Sequence, residues 1–274
     1  MTLPRPITSE EAARLAETAW SAIAPIHASL VDRGEDASFR DIILPGVMQL
    51  LGDASFNQVL DAGCGAGRMT RELSYKAGHV TGVDPDPVSI ALAAEYLREC
   101  PNVTLVQSRL EDYAPARADS FDAVVAAMVA QDVVDSAGFF RALATLLAPR
   151  GLAVVVIPHP CFWPRYWDYE NETWFRYQDE IYIASDFRTR SGSYGVDSMH
   201  VHRPLARYVE QTRASGLIIE RMQEEPKQEA GRGRSVADGR FLFMRLRRAP
   251  IRSSRNPDAQ HVGASQEEAP RELR

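Results

Sequence analysis

The sequence predicts an α/β fold in which a mostly parallel sheet carries helices on both faces. Strand-like and helix-like segments alternate between residues 58 and 157, and the helices have lengths of about 10 to 15 residues. Apolar runs such as Val154–Ile157 are continuous, as expected of a strand buried on both faces. A glycine-rich turn, Gly63–Gly67, joins a strand directly to a helix. This alternation favours parallel strands with right-handed crossovers.

Residues 1–52 are predicted to form an N-terminal helical cap, and residues 53–248 the main domain. Ser9–Leu30 is predicted to be a helix, with Ser9 as its N-cap and a kink at Pro25. Ile42–Leu51 is predicted to be a second, shorter helix.

The main domain follows as a series of strands and helices. The first five predicted strands are Gln58–Asp61, His79–Asp84, Val103–Gln107, Phe121–Ala127 and Gly151–Ile157. The predicted helices between them are Arg68–Ala77, Pro87–Cys100 and Ala137–Leu147. The pattern resumes after residue 203 with the helix Pro204–Ala214 and the strands Leu217–Arg221 and Arg240–Arg247.

Residues 158–203 interrupt this pattern and hold three of the four tryptophans. An insertion at this position is predicted to be a substrate lid, with Phe162, Trp163 and Tyr166 as substrate contacts. The alternative is that its rings form a separate small core or a dimer contact. Four acidic side chains in the segment favour a neutral or cationic substrate, or else form a solvated face. They are Glu170, Glu172, Asp179 and Glu180.

Composition limits the classes of partner and compartment. The formal net charge of −6 argues against duplex nucleic acid as the main partner. Cys64, Cys100 and Cys161 lack the spacing of a disulfide framework or a zinc site, so no metal is predicted. No signal peptide is visible and no apolar run reaches about 18 residues, which predicts a cytoplasmic protein without a membrane span. The polar tail, residues 249–274, is predicted to be disordered.

The glycine-rich turn is the strongest functional signal in the sequence. Gly63, Gly65 and Gly67 permit positive φ and a close approach of backbone to a ligand. The helix that begins after them presents free N–H groups to that ligand. Cys64, within the turn, is interpreted as a small packing residue.

Charged residues around the turn distinguish two classes of ligand. A dinucleotide-binding turn has glycine where this sequence has Arg68. Asp61, directly before the turn, would repel a pyrophosphate but suits a cationic amino-acid group. Asp84, at the tip of the next strand, is placed to accept hydrogen bonds from ribose hydroxyls. Together these residues predict S-adenosylmethionine, which carries an ammonium and a sulfonium and lacks phosphate.

Residues 59–157 resemble the class I S-adenosylmethionine-dependent methyltransferases. Asp61–Gly67 is similar to the first motif of that family, and Val80–Asp84 to the second. Phe121–Val125 and Leu147–Gly151 resemble its fourth strand and the turn before its fifth. The resemblance implies a Rossmann-like sheet of seven strands with an antiparallel last strand. It also implies S-adenosylmethionine as cofactor and S-adenosylhomocysteine as product.

The segment after the third strand departs from the family pattern. Arg109 stands where the family commonly has an acid or amide for the adenine amino group. The resemblance then points to the Leu110 backbone and the Glu111 side chain, and the alternative is that Glu111 is a solvent-exposed charge. The remaining predicted cofactor contacts are Pro85 and Met128.

The acceptor of the methyl group is expected near the carboxyl ends of the fourth and fifth strands. A hydroxyl or ammonium acceptor needs a base to remove its proton. His159, just past the fifth strand, is the first candidate, and its alternative role is to shape the turn. His200 and His202, before the next helix, are the other candidates.

Three further side chains are predicted to bind substrate or close the pocket. Gln131 and Asp132 follow the fourth strand, and their alternative role is at an ordinary helix N-terminus. Trp20 lies on the first helix, which commonly covers the cofactor in this family. The alternative is that Trp20 anchors the core.

The sequence therefore predicts methyl transfer to an oxygen or nitrogen of a small organic molecule, as in natural-product biosynthesis. Neither nucleic acid nor a membrane is expected as a partner, and a homo-oligomer is compatible with the sequence. One rival is a methyltransferase acting on RNA or protein, for which arginines near the C-terminus, such as Arg232 and Arg234, would contact phosphate. A second rival is a non-catalytic cofactor-binding subunit. A nicotinamide oxidoreductase is the weakest rival because of Arg68.

Overall fold

A central sheet of seven strands and a second sheet of three strands organise the chain. The computed structural model describes residues 3–189, 192–224 and 239–249. Its strands are β1 (Arg5–Pro6), β2 (Phe56–Ala62), β3 (Ala77–Asp84), β4 (Val103–Gln107), β5 (Phe121–Ala127), β6 (Leu147–Pro158), β7 (Ile181–Thr189), β8 (Gly192–His202), β9 (Leu217–Glu224) and β10 (Phe241–Arg248). Its helices are α1 (Ser9–Asp32), α2 (Leu44–Leu51), α3 (Arg68–Ser74), α4 (Pro87–Tyr96), α5 (Leu110–Tyr113), α6 (Ser136–Leu146), α7 (Trp163–Tyr166) and α8 (Leu205–Ala214).

The central sheet has the order β4-β3-β2-β5-β6-β10-β9, and β10 is antiparallel to both of its neighbours. This confirms the predicted Rossmann-like architecture and its antiparallel last strand. Strand β2 pairs in parallel with both β3 and β5. The chain runs from β2 to β3 on one side of this pair, and from β5 to β6 on the other side. In α/β sheets a crevice opens at the carboxyl ends of such a pair of strands.

Apolar residues alternate between the two faces of the sheet and form a core on each side. Leu60 and Val124 pack into one core with α6 and α8, whereas Val59 and Val125 pack into the other with α2 and α3. Each of these four side chains is 0 or 1% exposed. Burial on both faces explains why these strands lack the polar alternation of a half-exposed sheet.

Helix α1 differs from its prediction at its N-cap and in its length. The N-cap is Thr8 rather than Ser9, because the Thr8 hydroxyl accepts the Glu11 N–H at 3.2 Å. The helix also continues through the exposed Pro25 to Asp32. A π-helical turn, Phe39–Ile43, leads from α1 into α2.

The insertion that follows β6 contains a β-hairpin that the sequence analysis did not predict. Strands β7 and β8 pair antiparallel, and the short β1 adds to the outer side of β7. Aspartate and serine interrupt both strands and β8 also contains Gly195, and aspartate and glycine are depleted in strands. Apart from Ala249, the tail predicted to be disordered lies outside the described residues.

Candidate functional site

The carboxylate of Asp84 lies at the tip of β3 and is held by two main-chain donors. The Gly65 N–H donates to one oxygen and the Asp86 N–H to the other, each at 2.9 Å. Burial raises the pKa of Asp84, and the two N–H bonds oppose that rise. These bonds fix an acceptor group directly beside the glycine turn, as the sequence predicted for a ribose-binding acid.

The three glycines of the turn have different roles. Their φ angles are 69° for Gly63, 52° for Gly65 and 82° for Gly67, where other residues would be strained. A Cβ on Gly63 would lie 2.4 Å from the Val129 side chain, and one on Gly67 2.7 Å from Leu97. A Cβ on Gly65 would meet nothing within 4 Å. The backbone at Gly65 therefore borders open space that a ligand can enter.

Asp61 is a second acid beneath the turn, at the end of β2. It is 2% exposed, and the Thr70 hydroxyl donates to its Oδ2 at 2.6 Å. Burial raises the pKa of Asp61 to about 7, and the nearby Asp84 carboxyl adds to the rise. Burial also raises the pKa of the Cys64 thiol, which supports a packing role for that residue.

In the part of the chain that is described, neither Asp61 nor Asp84 makes an ion pair with a lysine, arginine or histidine. Their neighbours are main-chain N–H groups, a threonine hydroxyl and each other. Two buried carboxyls without a counter-ion are costly to ionise together. The site therefore favours a cationic ligand.

Helix α1 crosses above this turn. The Ser21 hydroxyl donates to Asp86, which is also the N-cap of α4 and accepts the Ser89 N–H at 2.7 Å. One residue earlier, the Trp20 indole lies close enough to the Asp132 carboxyl, beyond the end of β5, to favour its charged form. Helix α1 thus joins the β3 side of the crevice to the β5 side.

Arg68, the residue that departs from the dinucleotide pattern, binds groups of the protein itself. Its guanidinium lies 3.6 Å from the centre of the Tyr96 ring and pairs with Asp32 at the end of α1. It also donates to the Ala66 carbonyl at 2.8 Å. Arg68 therefore anchors α3 to α1 and α4.

The predicted adenine contacts lie around α5. Leu110 is 7% exposed and belongs to the core, so its backbone rather than its side chain is offered to a ligand. Arg109 pairs with Glu17 of α1 at 3.5 Å, which removes its guanidinium from an adenine role. Glu111 is half-buried and Pro85 is exposed.

The segment 128–132 follows β5 and connects the turn to the insertion. Met128 has a φ of 61°, unusual for a residue with a side chain. Its N–H donates to the Val156 carbonyl at 2.9 Å, and the Asp132 N–H donates to the Val129 carbonyl at 2.8 Å. On the other side, the Gln131 carbonyl accepts the Val201 N–H of β8 at 2.7 Å.

His159 is engaged at both ring nitrogens. Its Nδ1 accepts the Cys161 N–H at 3.2 Å, and its Nε2 lies 3.2 Å from a carboxylate oxygen of Glu224. The Phe162 ring lies against it, with 4.6 Å between the ring centres. These contacts correspond to the turn-shaping role that the sequence left open for His159.

His200 and His202 are both buried on β8. His202 Nε2 lies 3.0 Å from the Tyr177 carbonyl, and burial lowers its pKa. His200 Nε2 lies 3.2 Å from the Tyr169 hydroxyl, whereas its Nδ1 is buried without a partner. Burial lowers the pKa of His200 to about 3, so its ring is neutral at physiological pH.

A small cavity separates β8 from the carboxyl ends of β5 and β6. The residues around it are Gln131, Pro158, Pro160, Trp163, Tyr169, His200, Val201, His202, Arg203 and Tyr208. Two unpartnered buried atoms, His200 Nδ1 and Gln131 Oε1, belong to residues of this lining. The structure thus brings two predicted site residues together that are far apart in sequence.

Residues 60–155, from β2 to near the end of β6, match the sequence profile described as "Methyltransferase domain". Residues 60–155 are therefore similar to the methyltransferase domain of S-adenosylmethionine-dependent enzymes. The matched segment contains the turn, Asp61, Asp84 and the loop 128–132.

Two curated relatives carry the name ubiquinone biosynthesis O-methyltransferase. The one from Methylocella silvestris is 35% identical over 95 residues, which are 35% of this chain and 37% of the relative. The one from Bradyrhizobium diazoefficiens is 36% identical over 108 residues, which are 36% of this chain and 38% of the relative. The chain thus spans well under half the length of the curated relatives it matches.

Solved structures share its fold. A methyltransferase from Clostridium acetobutylicum has a TM-score of 0.60 at 14% identity, covering 84% of this chain and 99% of that one. The DhpI–SAM–HEP complex has a TM-score of 0.62 at 22% identity, covering 88% and 100%. A 1,6-didemethyltoxoflavin-N1-methyltransferase from Burkholderia thailandensis has a TM-score of 0.56 at 16% identity, covering 90% and 95%.

S-adenosylmethionine is the cofactor of proteins with this domain, and the site of this chain suits it chemically. The two unpaired buried acids match a ligand with a cationic amino-acid end. The open space at Gly65 admits a ligand against the backbone. The carboxylate of Asp84 keeps acceptor capacity beyond its two N–H donors.

The aromatic side chains of the insertion pack mainly against one another. Trp167, Tyr169 and Ile183 form a buried cluster, and Trp163 and Tyr166 lie against it. This packing agrees with the separate small core that the sequence analysis kept as an alternative. Of the predicted substrate contacts here, Trp163 lines the small cavity, whereas Phe162 lies on His159 and Tyr166 beneath the guanidinium of Arg240.

Sequence analysis missed three residues that shape the site. Asp86 followed by Pro87 is an N-cap signal that was available in the sequence. Ser21 and Arg203 gave no local signal, because each acts on a segment more than 60 positions away.

The described part of the C-terminal arginine stretch is paired within the protein. Arg245 and Arg247 contact Glu220 of β9, at 2.6 and 3.2 Å, and Arg248 pairs with Asp119. Arg232 and Arg234 lie outside the described residues. Within those residues, no helix is long and apolar enough to cross a membrane, and no group of three or more His, Cys, Asp or Glu side chains is placed to hold a metal.

Proposed function

We propose that this chain transfers the methyl group of S-adenosylmethionine to an oxygen or nitrogen of a small organic molecule. The observation that carries the proposal is the pair of buried acids, Asp61 and Asp84, at the glycine turn of a methyltransferase domain. Asp61 is the proposed partner of the cofactor ammonium, and Asp84 of its ribose hydroxyls. Leu110, Glu111, Pro85 and Met128 are the remaining proposed cofactor contacts.

A small acceptor is supported by the names of the relatives. The curated relatives are named for ubiquinone biosynthesis, and one structure of the same fold is named for the N1-methylation of 1,6-didemethyltoxoflavin, a small organic molecule. The cavity beneath β8, with Pro158, Pro160 and Trp163 in its lining, has a volume of about 10 Å³, which is room for one water molecule. An acceptor therefore needs this cavity to widen.

His200 is the histidine that we propose to contact the acceptor. Its Nδ1 is free, whereas the ring nitrogens of His159 are engaged. A ring with a pKa of about 3 hydrogen-bonds well but is a weak proton acceptor. His200 is therefore proposed to orient the acceptor together with Gln131, beneath a lid formed by residues 158–203.

Calorimetric titration with S-adenosylmethionine, with NAD as comparison ligand, tests the cofactor assignment. We expect micromolar binding of S-adenosylmethionine, at least tenfold weaker binding to Asp84→Asn, and no binding of NAD. Asp53→Asn, a change at an exposed acid, is the matched control and should leave the affinity unchanged. Absence of binding to the folded protein would refute the proposal.

Turnover tests the acceptor class. The protein, incubated with S-adenosylmethionine and a panel of phenols, hydroxyquinones and nitrogen heterocycles, should yield a methylated product detected by mass spectrometry. The small-molecule acceptor is excluded if the protein binds the cofactor tightly, methylates no member of the panel and methylates RNA or a protein instead.

A further inference from the structure

His27 of α1 is held by a carboxylate at one nitrogen of its ring. Its Nε2 lies 3.0 Å from Oδ2 of Asp36, in the loop that leads from α1 into the π-helical turn. The other oxygen of Asp36, Oδ1, accepts the N–H groups of Ser38 and Phe39 at 3.0 and 3.1 Å. The Asp36 carboxylate is therefore a fixed partner that sets the orientation of the His27 ring.

The charge of Asp36 determines which nitrogen of His27 carries a proton. Burial works against ionisation of Asp36, but the hydrogen bonds from His27 and from two N–H groups outweigh it and lower the pKa of this carboxyl. An ionised carboxylate can only accept hydrogen bonds, so the proton of the neutral His27 ring is on Nε2. The lone pair of the ring is then on Nδ1, which can accept a proton.

The Nδ1 atom of His27 is accessible to a ligand. In the described part of the chain Nδ1 has no hydrogen-bond partner, and the side chain is 36% exposed. By contrast, both ring nitrogens of His159 are engaged, and burial lowers the pKa of His200 and of His202. Of these four histidines, His27 alone combines an orienting carboxylate with a second nitrogen that is accessible.

Aromatic contacts place His27 on the part of α1 that crosses the crevice. The centre of its ring is 6.4 Å from that of Trp20 and 6.3 Å from that of Phe187 in β7. The Trp20 indole lies close to the Asp132 carboxyl, beyond the end of β5. The next residue, Ser21, donates to the N-cap of α4, beside the proposed ribose-binding acid. His27 is thus one ring away from the carboxyl edge of the sheet, where the acceptor is expected.

The loop after α1 and the insertion are joined on the same side of the crevice. The Ser38 hydroxyl accepts a hydrogen bond from Arg240 at 3.2 Å, and that guanidinium lies 5.6 Å from the centre of the Tyr166 ring. The Tyr166 carbonyl accepts a hydrogen bond from Arg188 at 3.3 Å. Arg188 directly follows the phenylalanine of β7 that contacts His27. His27 is therefore a member of a closed circuit of contacts between the N-terminal cap, β10 and the insertion.

We propose that His27 removes the proton of the methyl acceptor and that Asp36 orients its ring for that role. This inference rests on the proposed function, which assigns no base. The acceptor oxygen or nitrogen forms its bond to the methyl carbon with its own electron pair, while its proton moves to Nδ1 of His27. The carbon–sulfur bond breaks and its electron pair returns to sulfur. The Asp36 carboxylate stabilises the imidazolium, which then releases its proton to water.

Nitrogen-15 magnetic resonance of the His27 ring tests the tautomer without turnover. The His27 signals are assigned by their loss in His27→Gln. We expect the neutral ring to carry its proton on Nε2, because the Asp36 carboxylate accepts it there. A neutral ring with its proton on Nδ1 would overturn the inference, since that nitrogen could not then take a proton.

Turnover with an acceptor from the panel tests the role of His27 as a base. His27→Ala should lower kcat by about 100-fold or more, whereas its affinity for S-adenosylmethionine should stay close to that of the parent. Added imidazoles should restore part of the activity, and more basic imidazoles should restore more. His79→Ala is the matched control and should keep the parent kcat, because His79 bonds to Thr104 near the amino end of β3.

The dependence on imidazole basicity separates a base from a residue that only fastens the loop. Unchanged kcat in His27→Ala, or lost activity that no imidazole restores, would overturn the inference while the proposed function stands. Failure of the folded parent protein to bind S-adenosylmethionine would instead overturn the proposed function, and the inference with it.

Discussion

The buried guanidinium of Arg203 holds the loop on which Asp132 lies. It donates to the carbonyl of Ala130 at 3.1 Å, of Val133 at 2.7 Å and of Val134 at 3.0 Å. The arginine side chain is completely buried, at the end of β8. One side chain of the insertion therefore fixes the backbone on both sides of Asp132.

Replacing Arg203 should destabilise the fold. Arg203→Gln removes three charge-assisted hydrogen bonds and leaves Glu180 without its buried partner, which costs about 3–5 kcal/mol. Arg207→Gln is the matched control, because Arg207 pairs with the same Glu180 from a half-exposed position. Its cost should stay below about 1 kcal/mol. Urea unfolding measures both, and equal losses would show that the buried bonds contribute little.

Alanine at two glycines of the turn should separate stability from cofactor binding. Gly65→Ala has room for its Cβ and should cost only about 1–2 kcal/mol for the positive φ. Gly63→Ala adds a collision with Val129 and should cost about 2–5 kcal/mol. Gly65→Ala should nonetheless weaken S-adenosylmethionine binding at least tenfold, since its methyl group projects into the open space. Thermal unfolding and calorimetry measure the two effects, and tight binding by Gly65→Ala would place the cofactor elsewhere.

Asp61→Asn should stabilise the free protein at alkaline pH and weaken cofactor binding. The pKa of Asp61 is about 7 when folded and near 3.8 when unfolded, so the folded state holds the extra proton between those values. The wild-type free energy of unfolding therefore falls as pH rises from 4 to 7, and the variant lacks this loss. The advantage of the variant should grow by up to about 4 kcal/mol between pH 4 and pH 8.

Urea unfolding across that pH range tests the stability effect of Asp61→Asn. Calorimetry should show at least tenfold weaker binding of S-adenosylmethionine at pH 8. A variant that binds the cofactor like wild type would remove Asp61 from the ammonium site, whatever its stability.

His200 should cost the protein stability in acid. Its pKa is about 3 when folded and 6.5 when unfolded, so below pH 6.5 the unfolded state binds the additional proton. Between pH 7 and pH 5 this amounts to about 2 kcal/mol of lost stability. His200→Gln lacks this titration. Between pH 7 and pH 5 the free energy of unfolding of the wild type should therefore fall by about 2 kcal/mol relative to that of the variant. A difference independent of pH would show that His200 is protonated in the folded protein.

The sequence determined the central domain because its signals are local. A strand that ends at Asp61, the glycines after it and the acid Asp84 follow one another within 24 residues, and each signal depends on backbone conformation or burial. The glycine turn and its two acids, which form the proposed cofactor site, were therefore predictable in position. The β7–β8 hairpin was not, because Gly192, Ser193 and Gly195 at the start of β8 weaken its strand signal.

The acceptor half of the site was decided by tertiary structure. The sequence offered His159, His200 and His202 as equal candidates. Only the fold shows that His159 contacts Glu224 and that His200 and Gln131 line the same cavity. The roles of Trp20 and Arg203 depend on partners more than 60 residues away. Motifs encode what a neighbouring stretch of backbone can bind, whereas burial, charge compensation and pKa depend on which distant segments meet.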